Sequence, residues 1–397
     1  MNDKSKKAIW TVLRLLVAAG LVAYVISQSR LEDAVRPAPH AEPLPVVREG
    51  PDGVVVRAGD GRERLIPTEA FGPEGATRIA GILSIGRRLA ERWWWALAAL
   101  GAMMLQSPLG AVRWRMLLKV QGIHITLWES LRLTYIGWFF NNWLPGATGG
   151  DFVKAYYIAT QTHHKPEAVT VVFLDRVLGL VAVCLIGAVA VAASLRDPRV
   201  RVAQIVVGAF LAGTVLAITV LYSRRVRSLL RVDRLIARLP LARTVAKVDR
   251  ALFVYRYHKG TVAWSILLSW GTQVGSVVAM WWVATGLGSH ARWYHYFLNM
   301  PVVWIGWAAV PVPGGFGVAE SLMQQLFGPS VLGGGAPLAA AEAATLALAM
   351  MLAFRLVQMV VSLPGTVFYL ARRTHVSPTH MREELETPED DGPPAQA

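Results

Sequence analysis

Cysteine occurs once in 397 residues, at Cys184 inside an apolar run, which excludes an intrachain disulfide and any cysteine-rich metal site. Charge is also scarce: Asp, Glu, Lys and Arg supply 17% of the chain against 54% hydrophobic residues. With a mean hydropathy of +0.41, the chain is too apolar for a soluble globule of this length. No phosphate-cradling P-loop occurs, so a nucleotide is not the expected energy source. Nor does a nucleophile stand beside a base. Acidic residues are outnumbered, 26 against 40 basic, for a net charge of +14. The basic residues stand at the ends of apolar runs, which points to positive-inside bias and anionic lipid rather than nucleic acid.

What is present is a series of apolar runs, each near the ~20 residues a helix needs to cross hydrocarbon. The first, Ala8 to Ser27, follows Lys4, Lys6 and Lys7. It exceeds a signal peptide's apolar core and lacks a clear cleavage site, so residues 1–29 read as an anchor with a cytoplasmic N-terminus. Residues 30–92 are soluble in character and read as an extracytoplasmic insert. Alternation around Gly59-Asp60-Gly61 predicts a small β-hairpin ending near Ile66. Trp93-Trp94-Trp95, one cluster among fifteen tryptophans, suits the membrane interface and opens a run ending near Arg113, Arg115 and Lys119. Further runs cover Thr126 to Leu144, Val169 to Leu195, Val202 to Tyr222, Val262 to Leu287, Phe297 to Glu320 and Leu338 to Leu370. A basic loop, 223–258, is expected in the cytoplasm, and residues 374–397, rich in Pro, Glu and Asp, are expected to be disordered.

Two segments break this pattern at Pro145-Gly146-Ala147-Thr148-Gly149-Gly150 and at Pro311-Val312-Pro313-Gly314-Gly315-Phe316-Gly317. With Lys119, Lys154 and Arg224 all counted as cytoplasmic, the chain between Lys119 and Lys154 must enter and return on one side. The same bookkeeping makes the second break enter from outside. The predicted fold is therefore an all-α polytopic membrane protein, with about six spanning helices, two re-entrant broken segments and a hairpin insert. The membrane domain covers 93–373, and both termini lie on the cytoplasmic side of the cell membrane.

Broken backbone in hydrocarbon is tolerated where it lines a wet cavity or is buried in protein, which marks both breaks as candidate sites. Helix starts after Gly150 and Gly317 offer amide groups to a phosphate; a simple glycine kink is the alternative. Ionisable residues within apolar runs cost about 2.5–3.5 kcal/mol each on insertion scales unless partnered. These are Asp151, Asp175, Arg176, Glu320, Glu342 and Arg355. One reading has Arg176 and Arg355 holding a lipid phosphate while Asp151 or Glu320 positions them or binds an amine head group. The other is a set of internal salt bridges. Glu342, near a run's end, reads as a snorkelling residue. His163, His164, His290 and His295 read as surface histidines rather than metal ligands.

In order, Asn142-Trp143-Leu144-Pro145-Gly146, then Gly149-Gly150-Asp151, Phe173-Leu174-Asp175-Arg176 and Pro311 to Glu320 resemble the lysylphosphatidylglycerol synthase transmembrane-region family, also called flippase-like. The resemblance runs from about Trp93 to Leu370, and Arg355 fits it. It implies a membrane domain that binds or translocates lipids, with Asn142, Pro145, Gly149, Gly150, Asp151, Asp175, Arg176, Pro313, Gly314, Gly315, Glu320 and Arg355 along the lipid path. It also implies an anionic or aminoacylated phospholipid and a partner enzyme supplying it. No cofactor is called for. The residues after Arg373, 374–397, are far short of a catalytic domain, so lysyl transfer itself is not expected. A head-group transferase using Asp151 or Glu320 as base, or a scaffold subunit, are the alternative functions.

Overall fold

The computed structural model describes residues 32–38, 41–71, 76–143, 149–162, 165–193, 195, 201–222, 254–309, 317–335 and 338–372. The anchor expected at Ala8 to Ser27, both proline-glycine turns, nearly all of the basic loop and the tail lie outside these residues.

The N-terminal insert forms more than a hairpin. Strands β3 (Gly53–Arg57) and β4 (Glu63–Pro67) pair antiparallel across the predicted turn, with Arg57 opposite Glu63. Asp60 caps that turn by accepting a hydrogen bond from the Arg62 amide at 3.0 Å. To this pair are added β2 (Leu44–Gly50), β1 (Ala34–Arg36) and β5 (Thr77–Ile79), giving a five-stranded sheet in the order β4-β3-β2-β1-β5. Alternation buries Val54, Val56 and Ile66 with Val35 on one face, while Leu65 remains exposed. Asp33 ties the sheet to α1 (Ile82–Glu91) by accepting from the Gly81 amide at 2.7 Å and the Ser84 hydroxyl at 2.6 Å, a side-chain cap on the helix start.

The remainder is helical: α2 (Trp93–Val120), α3 (Leu127–Trp143), α4 (Gly149–Thr162), α5 (Lys165–Ala193), α6 (Arg201–Tyr222), α7 (Lys259–Gly286), α8 (Trp293–Ala309), α9 (Val318–Leu326), α10 (Pro329–Leu332), α11 (Ala340–Ser362) and α12 (Pro364–Leu370). Among the described residues, four stretches are long and apolar enough to cross a membrane: Trp93–Val120, Thr170–Ala193, Lys259–Gly286 and Ala340–Leu370. The chain is thus a membrane protein, mostly helical, with a small N-terminal sheet. Trp93 and Trp94, at the start of the first span, are exposed.

The chain divides into two compact units, each gathered from three segments. One holds Met1–Gln106, Val181–Ile218 and Trp270–Val361; the other holds Ser107–Leu180, Thr219–Ser269 and Ser362–Ala397. Two of the boundaries fall beside Pro108 and Pro364, where a missing N–H interrupts the helical ladder. In the second unit, Trp114, Leu117, Leu133, Ile136, Tyr157 and Leu174 form the core. Tyr255 joins it, donating its hydroxyl to the Leu117 carbonyl at 2.9 Å, and burial pushes this phenol up to about 12. In the first unit, Ala190 and Val207 pack with Leu298 and Val302.

Candidate functional site

The second unit builds its polar cluster at the start of α4. Helices α3 and α4 flank the first break and approach so closely that a Cβ added at Gly150 would stand 1.8 Å from the Gly137 carbonyl oxygen. Only glycine fits there. The Gly150 amide, one of the orphan donors of a helix start, donates to Asn141 Oδ1 at 2.8 Å. One residue on, Asp151 faces two cations. Its Oδ1 lies 3.0 Å from Lys154 Nζ, one turn further along the same helix, and its Oδ2 accepts from the Arg176 guanidinium of α5. Lys154 is buried and sits over the Trp114 ring at 5.2 Å, a cation–π contact in a desolvated place. Arg176 keeps 45% of its side chain exposed while Asp151 keeps 15%, so the guanidinium is the member of this cluster within reach of a ligand.

Asp175 belongs to a separate network in the same unit. Arg113 of α2 pairs with it, Nη2 donating to Oδ2 at 2.9 Å while Nε lies 2.7 Å from Oδ1 as an ion-pair contact. The remaining arm of Arg113 donates to Ser269 Oγ at 2.7 Å, and Ser269 donates to the Ser265 carbonyl at 2.7 Å.

The first unit repeats the motif at the start of α9. Gly317 caps this helix with φ of 83°, the left-handed region that disfavours side chains. Its amide donates to Glu320 Oε2 at 2.8 Å, and Glu320 Oε1 accepts from Arg355 Nε of α11 at 2.8 Å. Both side chains are buried, and the Arg355 guanidinium rests over the Trp307 ring at 4.8 Å.

Of the residues expected from sequence, Gly149, Gly150, Asp151 and Arg176 come together in one place, and Glu320 with Arg355 in another. Asn142 lies in the last turn of α3, but its neighbour Asn141 makes the contact. Pro145, Pro313, Gly314 and Gly315 lie outside the described residues. The amides of Gly150 and Gly317 are already engaged by side chains, so neither stands open for a phosphate. Lys154, and Arg113 near the end of the run that opens at Trp93, are both ion-paired inside the unit. His295 is buried and stacks on Tyr294 at 4.3 Å, contrary to its expected surface position, while His290 is exposed; His163 and His164 are not described. Glu342 occupies the first turn of α11.

Residues 77–365 match the family model described as the lysylphosphatidylglycerol synthase TM region. The match includes both clusters and leaves β1–β4 ahead of it. A UPF0104 membrane protein of Pyrococcus horikoshii is 25% identical over 248 residues, covering 55% of this chain and 71% of that protein.

Proposed function

Because this chain belongs to the lysylphosphatidylglycerol synthase transmembrane-region family, we propose that it is an integral membrane lipid translocase or lipid-binding protein. Its ligand is the phosphate-bearing head group of a phospholipid. The observation that carries this reading is the repeated motif: a glycine-led helix start, a carboxylate in the first turn, and an arginine from a later long helix. Burying charge among apolar helices is costly, and chains keep it where a polar ligand or path needs it.

In the second unit, three cations, Arg113, Lys154 and Arg176, meet two carboxylates, Asp151 and Asp175. The half-exposed guanidinium of Arg176 suits the single negative charge of a phosphodiester. Both oxygens of Asp151 are taken, so an amine head group has no carboxylate waiting for it there. Arg176 engages the phosphate, Asp151 holds its guanidinium in place, and Lys154 fixes the other oxygen of Asp151. The two broken segments enter the membrane from opposite faces as inverted halves, and acyl chains stay in lipid. The termini face the cytoplasm of a cell-membrane protein, the insert faces outward, and a partner enzyme supplies the modified lipid.

The test is a scrambling assay with purified protein in liposomes holding fluorescent phosphatidylglycerol, or the phosphatidylcholine and phosphatidylethanolamine equivalents. Wild type is expected to move phosphatidylglycerol fastest. Arg176→Gln, half-exposed in its wild-type form, is expected to abolish movement while eluting as a folded protein, and Asp151→Ala to do the same. Wild-type rates in both variants would remove these residues from the site.

A further inference from the structure

The first turns of α3 and the end of α12, both in the second unit, enclose a partly open pocket of about 310 Å³. Glu129, Arg132, Phe368, Ala371 and Arg372 line it, and it shares no residue with the Asp151 cluster. We infer that this pocket is a separate binding site for a phosphoryl group, held by Arg132 and Arg372 at the level of the membrane interface.

The two guanidiniums are held differently. Glu129 pairs with Arg372, which also lies over the Tyr157 ring at 4.3 Å, so this cation is fixed in direction. Arg132 is exposed and rests on the Trp128 ring at 5.0 Å. Among the described residues no carboxylate pairs with it. Trp128 in turn meets Phe368 edge-on at 5.7 Å, so the pocket wall and the support beneath Arg132 are one aromatic assembly. Two cations against one carboxylate leave a net positive charge. A planar guanidinium with free donors is the group that binds phosphate oxygens in pairs.

The surroundings say where the phosphate comes from. Leu127, Trp128, Val367 and Leu370, close in the chain to the lining residues Glu129, Phe368 and Ala371, are 45%, 52%, 65% and 67% exposed, and we take them as an apolar rim that acyl chains cover. The volume is at the small end for ligand pockets and accommodates a head group rather than a whole lipid. A phospholipid therefore meets both the charge and the rim, whereas a soluble phosphate ester meets only the charge. The inference does not depend on lipid movement.

The experiment uses the full chain, delipidated in detergent and titrated with dioleoyl phosphatidylglycerol in mixed micelles, with glycerol 3-phosphate and with inorganic phosphate. Bound ligand is counted by native mass spectrometry. Phosphatidylglycerol is expected to bind wild type, Arg132→Gln to weaken that binding about tenfold or more, and Arg132→Lys to restore part of it. Trp128→Leu, which removes the aromatic support but no charge, is expected to fall between. If the soluble phosphates bind as tightly as the lipid and with the same Arg132 dependence, the phosphoryl site stands and its source is soluble. Equal affinity of wild type, Arg132→Gln and Trp128→Leu for all three probes would overturn it. Arg176→Ala is expected to keep this binding while losing scrambling, and Arg132→Gln to do the reverse, so the two assignments fail separately.

Discussion

Each carboxylate at these two helix starts, Asp151 partly and Glu320 fully buried, serves two partners at once: Asp151 holds Lys154 and Arg176, and Glu320 holds Gly317 and Arg355. Removing one member of such a pair leaves a charge stranded in an apolar surrounding, which costs about 3–5 kcal/mol in buried pairs. Glu320→Gln and Arg355→Gln are each expected to lower thermal stability in detergent by an amount near the low end of that range. The double variant should lose less than their sum, as a double-mutant cycle on unfolding midpoints would reveal; strict additivity would mean the pair is not coupled. The sequence makes these residues visible, since a charge within an apolar run needs a reason. Their pairing is hidden. Asp175 and Arg176 are neighbours in the chain, yet successive residues on a helix point to different faces, and so they answer to Arg113 and Asp151 respectively. Lys154, not among the candidate site residues read from the sequence, sits three residues from Asp151 on one helix face, a spacing that the sequence displays once the helix start is known.

At the scale of elements, the α3–α4 pair depends on backbone contact rather than on side chains. Gly150→Ala is expected to disrupt it and to reduce monodisperse yield severely, because the new methyl would meet the Gly137 carbonyl. Gly179→Ala, where a Cβ meets nothing within 4 Å, should be neutral or slightly stabilising, by up to about 1 kcal/mol. Comparable yields of the two variants would refute the close packing. Tyr255→Phe removes the bond to the Leu117 carbonyl and should cost about 1 kcal/mol. The folded protein holds this phenol protonated up to about 12, whereas an unfolded tyrosine ionises near 10. Its contribution is thus fully present below about pH 10 and is lost as pH rises toward 12; unfolding midpoints of wild type and Tyr255→Phe should converge over that window. The long helices and the hairpin at Gly59-Asp60-Gly61 were legible because local pattern determines them. Strands β1 and β5 were not: at three residues each, they show no alternation, and their pairing joins segments more than forty positions apart.

For the whole molecule, the division into two units could not be read from the sequence, because its boundaries cut through α2, α5, α6, α7 and the end of α11 instead of falling in linkers. Sidedness, by contrast, is open to direct measurement. Cys184 is buried, so single cysteines introduced at exposed positions can be labelled against a quiet background. Asp60→Cys in the insert is expected to react with a membrane-impermeant maleimide in intact cells, and Lys119→Cys only after permeabilisation; the opposite pattern would invert the topology. Glu320 gives the two-unit molecule one further property. One of its oxygens tethers the backbone at Gly317 and the other restrains Arg355, so the carboxylate works as a latch with two bolts. Loss of the Arg355 contact in Arg355→Gln is therefore expected to quicken amide exchange at Gly317 as well, and unchanged exchange there would show that the two bolts work independently.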